Sequence, residues 1–346
     1  MSNRNKNINP NFKKPSRVKI DAKQLTEKLL EGDKIHLSHA LSLAESVLDS
    51  DRNTISEVLR NYQKRNTKRI AVTGPPGAGK STFIDSFGNY LADQGNKIAI
   101  LTIDPSSPQS GGSILGDKTR MEQLINQENV YIRPSASGTE TGGVSAATME
   151  CILLCEMASY DYIIVETVGV GQSEVAVSDL VDMYILLVQP GSGDDLQGIK
   201  RGIMELADLF LVNKADGDKM DLAKLSAKAI DSAKSLLHPK EHGLKPQTLL
   251  YSSETLLNID KVSSVIEGFF EDINSNKFYE KNRTEQMSLW LTREINKSII
   301  ETVEEIQEIK ELKSSLQNQI NNSEAFPIEA GGIIKKAIKE IFDKDN

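Results

Sequence analysis

Residues 68–82 read KRIAVTGPPGAGKST. A short apolar run, Ile70, Ala71 and Val72, predicts a strand. It leads into Gly74, Pro75, Pro76, Gly77, Ala78, Gly79, Lys80, Ser81 and Thr82, which match the GxxxxGK[ST] phosphate-loop pattern without a mismatch. The spacing has a chemical reason. Glycines let such a loop curl until successive backbone N–H groups face one anion, and a helix opening near Gly79 aims its positive end at the same point. Lys80 then reaches the β and γ phosphates, and the Ser81 hydroxyl takes a position on Mg²⁺. Gly-rich turns also produce this pattern; here a strand precedes it and a helix-forming run, residues 83–92, follows, the context that makes it a nucleotide loop.

Downstream, apolar strands alternate with helical stretches, so the expected fold is α/β with a mostly parallel sheet. Residues 98–101 read as a buried strand that ends at Asp104, and the polar loop 104–121 after it contains Asp117. A second polar loop, 133–145, follows the short strand 130–132 and leads into a helix from about 144 to 158. Loops at the carboxyl ends of parallel strands are where ligands bind, so these loops are expected to face the phosphates. The strand 162–165 ends in Glu166, Thr167, Val168 and Gly169. An acid there holds Mg²⁺ or its water shell, and the glycine three residues on gives its N–H to the γ-phosphate.

The strand 210–212 is followed by Asn213, Lys214, Ala215 and Asp216. The carboxylate of such an NKxD string accepts two hydrogen bonds from guanine N1 and N2, which adenine lacks, while Asn213 and the Lys214 stem pack around the base. A last strand, 248–251, brings Ser252 and Ser253 into reach of guanine O6 through their backbone N–H groups. The nucleotide is therefore expected to be GTP or GDP. Beyond residue 287 the apolar positions Leu291, Ile295, Ile299, Val303, Ile306, Ile309, Leu312 and Leu316 step by three or four, one face of a long helix. Periodicity alone leaves open whether that face packs on its own domain or forms a dimer arm.

Composition sets the bounds. The chain has 346 residues, 38% hydrophobic and 26% charged, which is ordinary globular material. Its net charge of −8 argues against a general attraction to nucleic acid. No apolar run approaches the length of a membrane span and no signal-peptide core is visible, so a cytoplasmic protein without a membrane role is expected. Residues 1–20 hold six basic side chains and no acid, which predicts a disordered tail. Helical spacing over residues 22–63 predicts two or three helices ahead of the phosphate loop. Cys151 and Cys155, four apart among Ile152, Leu153 and Leu154, read as reduced core thiols.

The motifs GPPGAGKST, IDPSSPQSGGSILGDKTRM, RPSASGTETGGVS, ETVGVGQSE, QPGSGDDLQGIKRGIMELAD and VNKADGD together resemble the successive signatures of the MeaB/ArgK GTPases. These attend adenosylcobalamin-dependent acyl-CoA mutases such as methylmalonyl-CoA mutase. The resemblance runs from about residue 31 to the C-terminus. It implies a P-loop GTPase domain (67–275) with an N-terminal helical extension (21–66) and a C-terminal helical arm (276–346) that builds a homodimer. It further implies slow hydrolysis of GTP that the mutase stimulates, and gating of cofactor loading, protection or reactivation. Carried over by motif, Lys80 and Ser81 bind phosphate and Mg²⁺, Asp104 and Asp117 bracket the first switch, Glu166 is the acid of the second, and Asp216 reads guanine. Asp194, Gln197 and Lys200, in the segment 189–200, resemble an extra switch that meets the mutase. The stretch SSETLLN, 252–258, departs from the family in lacking a run of small residues and glycine after the last strand.

Ras-like enzymes orient the attacking water with a Gln beside the second-switch glycine, and here Gly169 is followed by Val170. Slow intrinsic turnover is the consequence unless Asp104, Asp117 or a partner supplies the contact. The rival readings are a nucleotide-dependent kinase of a transport protein, a metal-inserting GTPase and a GTPase of RNA or the ribosome. Metal insertion calls for a Cys/His cluster, yet none of His36, His39, His238 and His242 lies beside a cysteine.

Overall fold

The computed structural model describes residues 21–104, 121, 123–136, 147–167, 173–191 and 201–344. The expected tail, residues 1–20, lies outside them. Among the described residues, seven strands form one sheet: β1 (Lys68–Thr73), β2 (Ile98–Asp104), β3 (Val130–Ala136), β4 (Tyr162–Thr167), β5 (Met183–Val188), β6 (Leu209–Val212) and β7 (Gln247–Leu250). Their order is β3-β2-β4-β1-β5-β6-β7, and every neighbouring pair is parallel. Every residue of β4, β5 and β6 is buried, as a parallel sheet covered on both faces requires. β1 pairs with β4 on one side and β5 on the other. The chain leaves β1 toward β2 and β3 on one side and later passes from β4 to β5 on the other, so connections diverge at β1 and the crevice of a doubly wound fold opens at its carboxyl end.

The opposite end of the sheet is tied by one repeated device. The residue just before each of β4, β5 and β6 is an aspartate whose carboxylate accepts the N–H of a neighbouring chain segment. Asp161 takes Lys97 N at 2.8 Å, Asp182 takes Arg69 N at 3.1 Å and Asp208 takes Tyr184 N at 2.8 Å. In each case the backbone N–H of the aspartate donates back to the same residue's carbonyl, at 2.8–2.9 Å. The entry to each strand is thereby closed where the ladder has not yet begun.

Among the described residues, three helices precede the sheet: α1 (Ala22–Leu30), α2 (Lys34–Ala44), which Asp33 caps by accepting His36 N at 2.8 Å, and α3 (Asp49–Leu59). They cover α5 (Thr148–Met157), every residue of which is buried. Its two charged side chains are both paired: Glu150 with Arg52 at 2.6 Å, and Glu156 with Arg69 at 2.7 Å and the Tyr62 hydroxyl at 2.5 Å. Cys151 and Cys155 are free and buried on this helix, as expected for core thiols, and burial pushes both well above the usual thiol range. Among the described residues, the remaining α-helices of this part of the chain are α4 (Lys80–Asp93), α6 (Ser173–Ser178), α7 (Arg201–Leu206), α8 (Met220–Lys234) and α9 (Ile259–Ser275).

The chain divides into two compact units, Met1–Asp272 and Ile273–Asn346. The second holds α10 (Phe278–Glu305), α11 (Gln307–Asn321) and α12 (Pro327–Lys344). The apolar steps from Leu291 to Leu316, read as one long helix, belong to two. Ile306 is extended (φ −65°, ψ 120°) and separates α10 from α11, while Lys313 pairs with Glu304 across the break. A single extended residue turns the chain without disturbing a spacing of three or four, so the period gives no sign of it. Leu291, Ile295 and Ile299, one turn apart on α10, are 60%, 49% and 56% exposed.

Candidate nucleotide site

The phosphate loop spans the gap between the end of β1 and the start of α4, and its neighbours press closely on it. Gly74 has φ +147°, and a Cβ there would run into the Leu187 carbonyl of β5. At Gly79, with φ +88°, a Cβ would lie 2.5 Å from Asn213 Nδ2. Only glycine fits either position. No side chain caps α4, so its leading N–H groups face the loop, the arrangement that receives an anion.

The strand order explains which residues surround the loop. On the β4 side, Ser81 Oγ donates to Glu166 Oε1 at 2.9 Å, and Glu166 is only 3% exposed. A hydroxyl and a carboxylate in contact are the hard oxygen donors that Mg²⁺ prefers, so these two residues fit that ion. Just below them, Thr167 Oγ1 donates to Thr73 Oγ1 at 2.8 Å and joins β4 to β1. Lys80 Nζ turns back to the carbonyls of Gly74 at 2.8 Å and Pro75 at 3.3 Å, which places its charge over the cradle.

On the β6 side the NKxD string meets the same loop. Asn213 Nδ2 donates to the Ala78 carbonyl at 2.9 Å, and Lys214 Nζ to the Gly77 carbonyl at 2.8 Å. Lys214 adopts φ +59°, which turns the chain toward Asp216. Asp216 accepts the hydroxyl of fully buried Ser252, and Ser253 Oγ donates to Asn213 Oδ1 at 3.3 Å. The SSETLLN stretch closes on itself, through a Ser252–Leu257 bridge and a bond from Asn258 Nδ2 to the Leu250 carbonyl at 2.8 Å. Both serines thus use side chains to brace the base-reading string, a role the sequence reading, directed at their backbone N–H groups, did not include. The ring of Tyr251 meets Phe83 edge-on at 5.3 Å, and its hydroxyl lies 2.8 Å from Ser86 Oγ, fastening α4 to β7.

The structure brings together Gly74, Pro75, Pro76, Gly77, Ala78, Gly79, Lys80, Ser81, Glu166, Asn213, Lys214, Asp216, Ser252 and Ser253. Asp104 is the last residue of β2. Asp117, Gly169, Asp194, Gln197 and Lys200 lie outside the described residues. No helix among the described residues is long and apolar enough to cross a membrane.

Residues 37–308 match the family model described as methylmalonyl Co-A mutase-associated GTPase MeaB. The chain is 38% identical over 323 residues to a mouse protein named methylmalonic aciduria type A homolog, mitochondrial; the match covers 90% of this chain and 78% of that protein. It is 41% identical over 275 residues to the Escherichia coli GTPase ArgK, covering 79% and 83% respectively. Among solved structures, a LAO/AO transport system kinase superposes with a TM-score of 0.71 at 30% identity, covering 92% of this chain and 97% of that one.

Proposed function

The chain belongs to the methylmalonyl Co-A mutase-associated GTPase family, and on that premise we propose that it is a GTP-hydrolysing chaperone of an adenosylcobalamin-dependent acyl-CoA mutase. The observation that carries the reading is the joining of phosphate loop to base reader. Asn213 and Lys214 hold the carbonyls of Ala78 and Gly77, while Ser252 braces Asp216. One rigid assembly then addresses both ends of a guanine nucleotide.

In this reading Lys80 neutralises phosphate charge, Ser81 and Glu166 hold Mg²⁺ with Asp104 and Asp117, and Asp216 selects guanine. Mg²⁺, when bound, supplies charge stabilisation at the phosphates. In the sequence Gly169 is followed by Val170 rather than a water-orienting Gln, so intrinsic hydrolysis is slow. The mutase supplies the missing contact by engaging Asp194, Gln197 and Lys200, and the switch gates loading, protection or reactivation of the mutase's cofactor. The arm from residue 276 onward forms a homodimer; the exposed stripe Leu291, Ile295 and Ile299 supports this, since a row of large apolar groups at helical spacing favours a covering partner. The setting is the cytoplasm.

Phosphate release from GTP, measured with and without methylmalonyl-CoA mutase, tests the proposal. Stimulation of the wild type is expected, with its loss when Asp194, Gln197 and Lys200 are changed together to Ala, each protein compared with its own basal rate. Full stimulation of the triple variant would remove the partner switch. The kinase reading draws support from the name of the solved relative, a transport system kinase. Product analysis separates the two: phosphoprotein made from ATP favours the kinase, free phosphate from GTP the switch.

A further inference from the structure

The carbonyls of five consecutive residues, 74 to 78, each accept a side-chain donor. Lys80 takes those of Gly74 and Pro75, Lys214 that of Gly77 and Asn213 that of Ala78. The middle one, Pro76, is taken by Gln189 Nε2 at 3.2 Å. Gln189 is the first residue after β5, and no phosphate-loop or base-recognition pattern includes it.

A peptide unit is planar, so a carbonyl turned outward commits the next N–H to the inside. At this bond the commitment matters more than elsewhere. Pro75 and Pro76 carry no N–H. Gly77 therefore supplies the first amide donor the loop has after Gly74, and the Pro76–Gly77 peptide is the unit that aims it. The carboxamide also lies beside Gly77 itself: a Cβ there would be 3.1 Å from Gln189 Nε2. Gln189 is itself held at both sides. β5 ends at the residue before it, and two residues later Gly191 N donates to Ser226 Oγ of α8 at 3.0 Å. A side chain rooted on backbone held in this way can orient the peptide it donates to.

We infer that Gln189 is a positioning residue of the phosphate loop, which turns the Gly77 N–H toward the bound phosphates and so sets how tightly a guanine nucleotide is held. This rests on the nucleotide reading above. It adds a group that touches the loop rather than the ligand.

The test compares GDP with guanosine on the full chain. Gln189→Met keeps length and bulk without a donor; Gln189→Glu puts a carboxylate against the Pro76 carbonyl. The expected result is a dissociation constant for GDP raised about three- to tenfold in the Met variant, the worth of one net hydrogen bond, and raised further in the Glu variant. Guanosine affinity is expected to stay within about twofold of wild type, because only the phosphates use the loop. A merely structural role would weaken both ligands together. Unaltered GDP binding in Gln189→Met, or equal losses for GDP and guanosine, would overturn the inference. A wild-type chain that binds no GDP would overturn the nucleotide reading, and this inference with it.

Discussion

Acidic residues flank the strands of this sheet at both ends, and the two sets meet different partners. At the amino ends, Asp161, Asp182 and Asp208 each accept a backbone N–H from the neighbouring strand's entry, and each returns a backbone bond to the same residue. At the carboxyl ends, Glu166 accepts the hydroxyl of Ser81 and Asp216 that of Ser252. A backbone N–H cannot leave its acceptor without moving the strand. A hydroxyl can rotate and offer its lone pairs or its proton elsewhere. The amino-end carboxylates are therefore part of the scaffold, whereas those at the carboxyl end can exchange a protein partner for a ligand. Local sequence is similar in the two cases, an acid beside an apolar run, and the end of the strand decides the role.

The sharpest break of this comparison lies at Asp216. Asp216→Ala is expected to lower discrimination between GTP and ATP by a factor of order 10⁴, because the wild-type carboxylate is left unpaired against adenine. Its cost in stability should be only about 1 kcal/mol, the worth of the lost bond from Ser252. Competition of ATP against labelled GTP gives the first quantity and thermal unfolding the second. A wild-type chain that holds ATP and GTP equally would place Asp216 outside the base site.

Much of this architecture was legible in the residue order, for identifiable reasons. The inner strands β1, β2, β4 and β6 are apolar runs buried almost throughout, a signal that needs no knowledge of neighbours. The phosphate loop and the NKxD string are contiguous, so their chemistry can be read along the chain. What escaped depends on adjacency. Asp161, Asp182 and Asp208 look like ordinary turn residues until the order of strands puts Lys97, Arg69 and Tyr184 beside them. Gln189 acquires a role only because β5 lies against β1. Ser252 braces Asp216 because β7 follows β6 in the sheet, and the lack of a glycine-rich run gave no hint of it. The turn at Ile306 escaped for the opposite reason: it is local, yet it leaves the apolar spacing intact.

The scaffold end is tested most severely at Asp208. Its carboxylate is buried and meets Lys240 Nζ, His242 Nε2 at 3.0 Å and Tyr184 N at 2.8 Å, while His242 Nδ1 accepts Leu244 N at 3.0 Å. Those two bonds give His242 its proton on Nε2. Burial alone would raise the Asp208 carboxyl, but Lys240 beside it and the bonds from His242 and Lys240 outweigh this and hold it below the usual carboxylate range. Asp208→Asn is expected to cost about 2 kcal/mol, since it takes the charged acceptor from Lys240, whose side chain is 28% exposed and keeps its bond to the Leu206 carbonyl. GDP affinity of the folded variant should stay within about twofold of wild type. The sign of the pH effect follows from the depressed folded value. The carboxylate's contribution is complete above its unfolded pKa, about 4, and fades as pH falls toward the lower folded one. The stability gap between wild type and Asp208→Asn should therefore narrow below about pH 4; a gap that widened there would contradict the assignment. Denaturant unfolding over a pH series measures it.

The smallest effect is expected at Asp161, where the same bond is made in the open. Asp161 is exposed, yet its carboxylate accepts Lys97 N at 2.8 Å, the same length as Asp208 to Tyr184 N. If hydrogen-bond geometry set the energy, Asp161→Ala and Asp208→Ala would cost alike. Solvent changes that. When Asp161 is removed, water replaces it on the Lys97 N–H, and the loss is the net worth of a bond exchanged with water, about 1 kcal/mol or less. Asp208 is only 5% exposed, so water replaces it less readily, and Lys240 and the buried His242 lose an acceptor as well. Asp182, 6% exposed, accepts Arg69 N at 3.1 Å, a longer bond than the 2.8 Å at Asp208, and should fall between them. Chemical denaturation of the three Ala variants orders the series: Asp208 above Asp182 above Asp161. Equal costs would mean that closing the strand entry, rather than burial of charge, is what these aspartates contribute.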